Sequence, residues 1–335
     1  MKILVTAPYH DAARAMLEQE IGELAYHSWK PNGRAYREDE LTDLLEKTAA
    51  EALITEHDQV SGKVIDRFPH LQFIGVCRGT PSNVDLKAAS RHGIPVFFTP
   101  ARNAQAVAEM FIANVITFDR NTIAANRWLK EENWAGGAHD SYLQFKGFEL
   151  AGKTIGMVGF GAIGQRIAQM VRDFPCKITF YDPYIDSPDP AWKKTTLEEV
   201  FRTSDVVSIH LPANDQTRDM IDGRLIGLMK PTALFVNTSR AMVVVREDLL
   251  RALEEGKIRG AILDVFDHEP PDETDYKIIQ HPGVLATPHI AGATFEVEDH
   301  HAEIMNNNLL NWYSKRDGSR IFIANRDAVP AKQAD

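Results

Sequence analysis

Three residues suited to anion binding and proton transfer stand at or just beyond the ends of successive apolar runs. Arg240 closes "ALFVNTSR", Glu269 follows "GAILDVFDH", and His289 follows "GVLATP". A guanidinium fork can hold a carboxylate and polarise a neighbouring ketone. An imidazole titrates in the range useful for giving or taking a proton. A carboxylate beside it would stabilise the imidazolium and fix the ring's orientation. Together the three residue types suit a 2-oxo acid, whose carboxylate must be held and whose reduced oxygen needs a proton. Each also has a plainer reading: a surface capping charge, a solvated loop acid before prolines, and one of 12 histidines satisfied in the interior.

What would stand next to them decides between these readings. Gly159, Gly161 and Gly164 form a G-x-G-x-x-G pattern in "TIGMVGFGAIGQRIAQMV", with Ala162 and Ile163 between the last two glycines. An apolar run precedes the pattern, helical periodicity follows it (Ile163, Ile167, Met170, Val171), and the next run, "KITFYD", ends at Asp182. The spacing predicts a dinucleotide cradle. Gly159 permits a tight turn, Gly161 lets a pyrophosphate approach the backbone, and Gly164 lets helix and strand pack closely. The helix N-terminus offers free N–H groups to the phosphates. Asp182 would accept the ribose hydroxyls and repel a 2′-phosphate, which favours NAD over NADP. Glycines that merely shape a turn are the alternative.

The elements that must position these residues alternate along the chain. "KILVTA", "EALIT", "LQFIGV", "IPVFF", "TIGMVGF", "KITFYD", "DVVSIHL", "ALFVNTS" and "GAILDVF" read as strands separated by helical patterns. That alternation predicts an α/β protein with parallel sheets and helices on their faces. Asp11 is placed to cap the first helix. In an open sheet of this kind ligands bind beyond the carboxyl ends of the strands, where Arg240, Glu269 and His289 fall. Two helical stretches look like crossings between domains. "AQAVAEMFIANVITFDRN" is apolar almost all round, so it must be covered inside the fold or across a subunit interface. "EVEDHHAEIMNNNLLNWYSK" is more amphipathic.

At 335 residues the chain suggests roughly two domains at about 150 residues each. A formal charge of −10 argues against nucleic acid as the main partner. Two cysteines, Cys77 and Cys176, are too few for a structural zinc site and read as buried small hydrophobes; no metal is expected. The N-terminal run turns polar too soon for a signal peptide, and no apolar run approaches the ~20 residues of a membrane helix. A cytoplasmic protein is the expectation.

Taken together, "VCRG", "VDLKAASRHGIPV", "GKTIGMVGFGAIG", "YDPY", "VNTSR", "LDVFDHEPP" and "TPHIAGAT" resemble the D-isomer-specific 2-hydroxyacid dehydrogenases, a family that includes D-3-phosphoglycerate, glycerate and D-lactate dehydrogenases. The likeness spans nearly the whole chain. It implies two doubly wound parallel-sheet domains, with a Rossmann NAD-binding domain over 102–291 inserted into a flavodoxin-like substrate domain of 1–101 and 292–335. It implies that Arg240 binds substrate, Glu269 pairs with the histidine, and His289 is the proton donor. Asp264 would orient the nicotinamide carboxamide. His210, Leu211, Thr217, Thr238, Ser239 and Gly292 would line the cofactor, Arg78 and Gly79 would contact substrate, and a homodimer would form through the NAD domain. A strand-end salt bridge is the alternative reading of Arg78.

Three departures narrow the expectation. Ala241 stands where relatives usually have glycine, and "GTPSNVD" is a shortened substrate loop containing Pro81. "TEHD" (Thr55, Glu56, His57, Asp58) reads as an acidic mouth unfavourable to a phosphate. Little chain follows His289, leaving no room for a regulatory domain of the long phosphoglycerate dehydrogenases. The resulting expectation is an NAD-dependent D-2-hydroxyacid dehydrogenase acting on a small hydroxy or sugar acid, with domain closure excluding water. D-3-phosphoglycerate is the runner-up substrate. A non-catalytic NAD-sensing scaffold is the rival from another class, since fold alone does not separate the two.

Overall fold

The apolar runs form two sheets whose strand ladders are all parallel among the described residues. The computed structural model describes residues 1–314 and 321–329, so the predicted C-terminal tail lies partly outside the described residues. The chain divides into two compact units: Met1–Asn103 with the chain from Thr294 onward, and Ala104–Ala293.

The first unit holds β1 (Lys2–Val5), β2 (Glu23–Tyr26), β3 (Ala52–Thr55), β4 (Ile74–Val76) and β5 (Val96–Phe98), in the order β2-β1-β3-β4-β5. That 2-1-3-4-5 order is the flavodoxin-like one. Alternate residues of one strand serve opposite cores. Leu4 and Leu53 pack with Leu41, Leu45 and Ile65 on one face, while Ile3, Val5 and Ile54 pack with Phe73, Phe97 and Met305 on the other. Met305 lies on the helix Glu296–Ser314, which returns to this unit. At Gly75 in β4 an added Cβ would meet the Met305 sulfur at 2.9 Å, so this glycine admits the helix.

The second unit holds β6 (Thr154–Val158), β7 (Lys177–Tyr181), β8 (Trp192–Lys194), β9 (Val206–Ile209), β10 (Leu234–Asn237), β11 (Gly260–Leu263) and β12 (Val284–Ala286). Their order, β12-β11-β10-β9-β6-β7-β8, is the Rossmann order extended by one strand, and it reverses between β6 and β9. β9, β10 and β11 are buried at every position, which is why they read as unbroken apolar runs.

Two expectations change. The edge strands β2 and β8 fall outside the predicted runs: both are short and carry exposed positions, so neither presents an apolar signal. The first helix, Asp11–Glu20, is capped by His10, whose Nδ1 accepts from the Ala13 N–H at 3.2 Å, and Asp11 is already inside the first turn. The helix Ala104–Asp119 buries Val107, Phe111 and Val115 in the second unit but leaves Ala113 and Ile116 exposed within the single chain. Cys77 is fully buried as expected, Cys176 half-buried, and neither is paired. No described helix is long and apolar enough to cross a membrane.

Candidate active site

At the point where the strand order reverses, β6 gives way to the glycine loop. Gly159 adopts φ +89°, and a Cβ there would stand 2.6 Å from the His210 carbonyl oxygen. Only glycine fits that approach between two strand ends. Gly164 is held close too, its Cβ position 3.0 Å from the Gly159 carbonyl. Gly161 differs: nothing lies within 4 Å of its Cβ position, and it opens the helix Ala162–Met170 without a side-chain cap. The first N–H groups of that helix therefore face open space across a residue with no side chain. The arrangement fits a pyrophosphate.

Asp182 follows β7 and is nearly buried. Its Oδ2 accepts from the Phe160 N–H at 2.8 Å, and its Oδ1 from the Tyr184 and Ile185 N–H groups at 2.8 and 3.0 Å. The predicted ribose acceptor is thus also the clamp that ties the glycine loop to the end of β7. A carboxylate offers about four acceptor positions, so one on Oδ2 is left for a ribose hydroxyl. His210, after β9, is held neutral: burial pushes its pKa down to about 4. Its Nε2 pairs with Ser208 Oγ at 2.9 Å. Leu211 lines the first glycine at 3.5 Å from the Gly159 Cβ position. Thr217 instead turns its hydroxyl into its own loop, donating to the Pro212 carbonyl at 2.6 Å.

The end of β10 is shaped by Asn237. Its Oδ1 accepts from both the N–H and the hydroxyl of Ser239, at 3.0 and 2.9 Å, and its Nδ2 donates to the Arg240 carbonyl at 3.0 Å. This tight turn leaves the Thr238 hydroxyl buried without a partner and presents Arg240 to solvent. One guanidinium N–H of Arg240 donates to the Ser239 carbonyl at 2.6 Å, leaving the others for an anion.

Asp264, 1 % exposed, follows β11 and braces the end of β12. Its Oδ1 accepts from the Thr287 hydroxyl at 2.5 Å and the Ile290 N–H at 2.9 Å, and its Oδ2 from the Ala291 N–H at 2.8 Å. These bonds flank His289, which sits in left-handed backbone at φ 53°. Here too one Oδ2 lone pair is left for an amide donor, with Gly292 next in the chain. His289 Nδ1 lies 2.9 and 2.8 Å from the two oxygens of Glu269. A carboxylate only accepts, so Nδ1 carries the shared proton and Nε2 faces outward. Both side chains are about half exposed. β10, β11 and β12 are neighbours at about 4.8 Å spacing, so Arg240, Glu269 and His289 rise from one edge of one sheet.

In the first unit, Arg78 and Gly79 follow β4. The predicted acidic mouth is not one. Asp58 is fully buried, accepting from the hydroxyls of Thr6 (2.5 Å) and Thr55 (2.7 Å) and the Tyr36 N–H (2.7 Å). Glu56 is 5 % exposed and takes Arg102 at 2.6 Å and the Trp29 indole N–H at 3.2 Å. Both carboxylates turn inward because buried hydrogen-bond donors await them there, a pairing that composition could not reveal.

Sequence reasoning passed over Asn237 and Thr287. Both lie inside quoted motifs, but they act by building turns, and no spacing rule marks that role.

Residues 112–291 match the model for "D-isomer specific 2-hydroxyacid dehydrogenase, NAD binding domain". The YoaD protein of Bacillus subtilis (strain 168), named among the 2-hydroxyacid dehydrogenases, is 57% identical over 329 residues, covering 98% of this chain and 96% of its own. A glyoxylate reductase of Thermofilum pendens is 33% identical over 315 residues, covering 92% and 90%. Among solved structures, the TT0316 protein from Thermus thermophilus superposes with a TM-score of 0.79 at 29% identity, covering 97% of this chain and all of that one.

Proposed function

The chain belongs to the D-isomer-specific 2-hydroxyacid dehydrogenases, NAD-dependent oxidoreductases acting on CH–OH groups, and from that premise we propose that it interconverts a small 2-oxo acid and its D-2-hydroxy acid. The observation that carries the reading is the His289–Glu269 pair at 2.8 Å, with Arg240 following a strand of the same sheet. The Ala104–Ala293 unit is the NAD domain, and the Met1–Asn103 unit with the returning chain is the substrate domain.

NADH, when bound, supplies the hydride that goes to the carbonyl carbon. Gly159, Gly161, Ala162, Ile163 and Gly164 would receive its phosphates, Asp182 would take a ribose hydroxyl, and Asp264 with Thr238 would hold the nicotinamide end. Arg240 holds the substrate carboxylate and draws electron density from the ketone oxygen. His289 donates the Nε2 proton to the developing alkoxide while Glu269 balances the imidazolium. In the reverse direction the neutral imidazole removes the hydroxyl proton.

Glyoxylate, in keeping with the name of the Thermofilum relative, and hydroxypyruvate head the substrate classes. A phosphorylated acid such as 3-phosphohydroxypyruvate has one observation in its favour: Glu56 and Asp58 are sealed inward and present no acidic face to repel it. We also propose a homodimer. Ile116, Ile123, Leu129, Trp134, Tyr142 and Leu143 are all exposed along one stretch of the NAD domain. A second copy of that stretch would cover them.

NADH oxidation against glyoxylate, hydroxypyruvate, pyruvate, 3-phosphohydroxypyruvate and longer sugar-derived oxo acids tests the reading. Turnover of one of them is expected. Silence across the panel with NADH binding intact would overturn it in favour of an NAD-sensing scaffold.

A further inference from the structure

Glu269 stands at the exposed apex of a loop, and its usefulness depends on how firmly that loop is held. The residues around it are gripped by one side chain. Arg246 opens the helix Arg246–Glu254, a short way along the chain from Arg240. Its Nε lies 3.2 Å from Asp267 Oδ2, and one terminal nitrogen lies 3.0 Å from both oxygens of Asp272 and 3.1 Å from Asp275 Oδ1. Asp275 is buried, and its other oxygen accepts from the backbone N–H groups of His268 and Asp272, each at 3.2 Å. Asp267 and His268 immediately precede Glu269, and Asp272 follows it after two prolines. The loop is therefore anchored on both sides of Glu269, and both anchors converge on the Arg246 guanidinium.

The charge balance makes this anchor directional. Asp267, Asp272, Asp275 and Glu247 all lie within 3.2 Å of Arg246. His268, Asp272 and Asp275 offer ligand atoms within 4.8 Å of one another, a grouping that could hold a cation. Here the guanidinium fills that role. Without it the carboxylates, one of them buried, would repel each other and push the loop outward, carrying Glu269 with them.

We infer that Arg246 is a positioning residue for proton transfer, holding Glu269 against His289. The inference rests on the reading of Glu269 and His289 as the working pair. Four variants test it: R246Q, R246K, E269Q and the double variant R246Q/E269Q. R246Q is expected to lower kcat on the order of 10- to 100-fold, the cost of about an ångström of misplacement, with KM for NADH unchanged. R246K, which keeps the cation, recovers most of the loss. The double variant is no slower than E269Q alone, because Arg246 acts only through Glu269. Wild-type kcat in R246Q, or losses that multiply in the double variant, would overturn the inference. If E269Q itself turns over normally, the reading of the pair falls, and this inference falls with it. Should R246Q fail to fold, Asp267→Asn loosens one anchor while keeping the guanidinium. A several-fold loss of kcat that vanishes in the E269Q background supports the inference, and an unchanged kcat overturns it.

Discussion

His289 occupies backbone that few residues other than glycine adopt, at φ 53°, and such a conformation costs on the order of 1–3 kcal/mol unless its surroundings impose it. The three bonds that Asp264 accepts from Thr287, Ile290 and Ala291 impose it, bracketing the histidine on both sides. In this conformation the imidazole Nδ1 meets the Glu269 carboxylate, which fixes the tautomer. His289→Ala is expected to lower turnover by about 10²–10⁴, the usual cost of a lost general acid, with NADH affinity retained. Steady-state kinetics with a fluorescence titration of NADH checks both halves, and near-normal turnover would remove His289 from the mechanism. The identity of the residue was legible from its motif. Its conformation was not, because the brace comes from an aspartate that follows a different strand.

The three glycines of the cradle separate at the level of the element. The spacing treats them alike, yet the structure gives them unequal demands. Gly159 needs its positive φ and has a carbonyl oxygen 2.6 Å from its Cβ position, whereas Gly161 borders open space. Gly159→Ala is therefore expected to lower the melting temperature by several degrees, since backbone must move. Gly161→Ala is expected to leave the melting temperature within a degree or two but weaken NADH binding at least about tenfold, because the methyl occupies phosphate space. Differential scanning fluorimetry and a binding titration distinguish the two. Equal effects from both would mean that Gly161 does not face the cofactor. The strand pattern was readable wherever a strand was buried on both faces. It failed for β2 and β8, whose exposed edge positions carry no apolar signal.

Whole-molecule behaviour turns on two features. His301 is fully buried, with Nε2 2.7 Å from the Pro8 carbonyl and Nδ1 2.9 Å from an Arg102 N–H. Those partners require the neutral ring, and desolvation by burial holds its pKa down to about 4. Above about pH 6.5 neither the folded nor the unfolded state binds this proton. Between about 6.5 and 4 only the unfolded state does, so stability falls as pH drops, by up to about 3 kcal/mol. Glu56 acts lower. Burial pushes its carboxyl up, but the His57 imidazole and Arg102 guanidinium outweigh burial and bring it to about 2, so its contribution is lost as pH falls from about 4.5 to 2. Urea denaturation from pH 7.5 to 4.5 should show the first loss, and His301→Gln should flatten it; equal slopes in both proteins would reject the assignment. The second feature is the exposed apolar stretch from Ile116 to Leu143. Sedimentation is expected to give a dimer that Leu143→Asp weakens, and a monomeric wild type would refute it.

The sequence by itself determined the α/β class and the family, and it singled out the glycine loop and Arg240, Glu269 and His289 as the candidate site. Each rests on local signals: buried apolar runs, glycine spacing, and residue types at strand ends. Only the tertiary structure decided that the apparent acidic mouth is sealed inward and that Asp182 and Asp264 brace the turns around them. It also decided that Arg246 grips the loop of Glu269. These outcomes depend on which donor meets which carboxylate across elements distant in sequence, and a buried charge takes whichever partner the fold brings within hydrogen-bond reach.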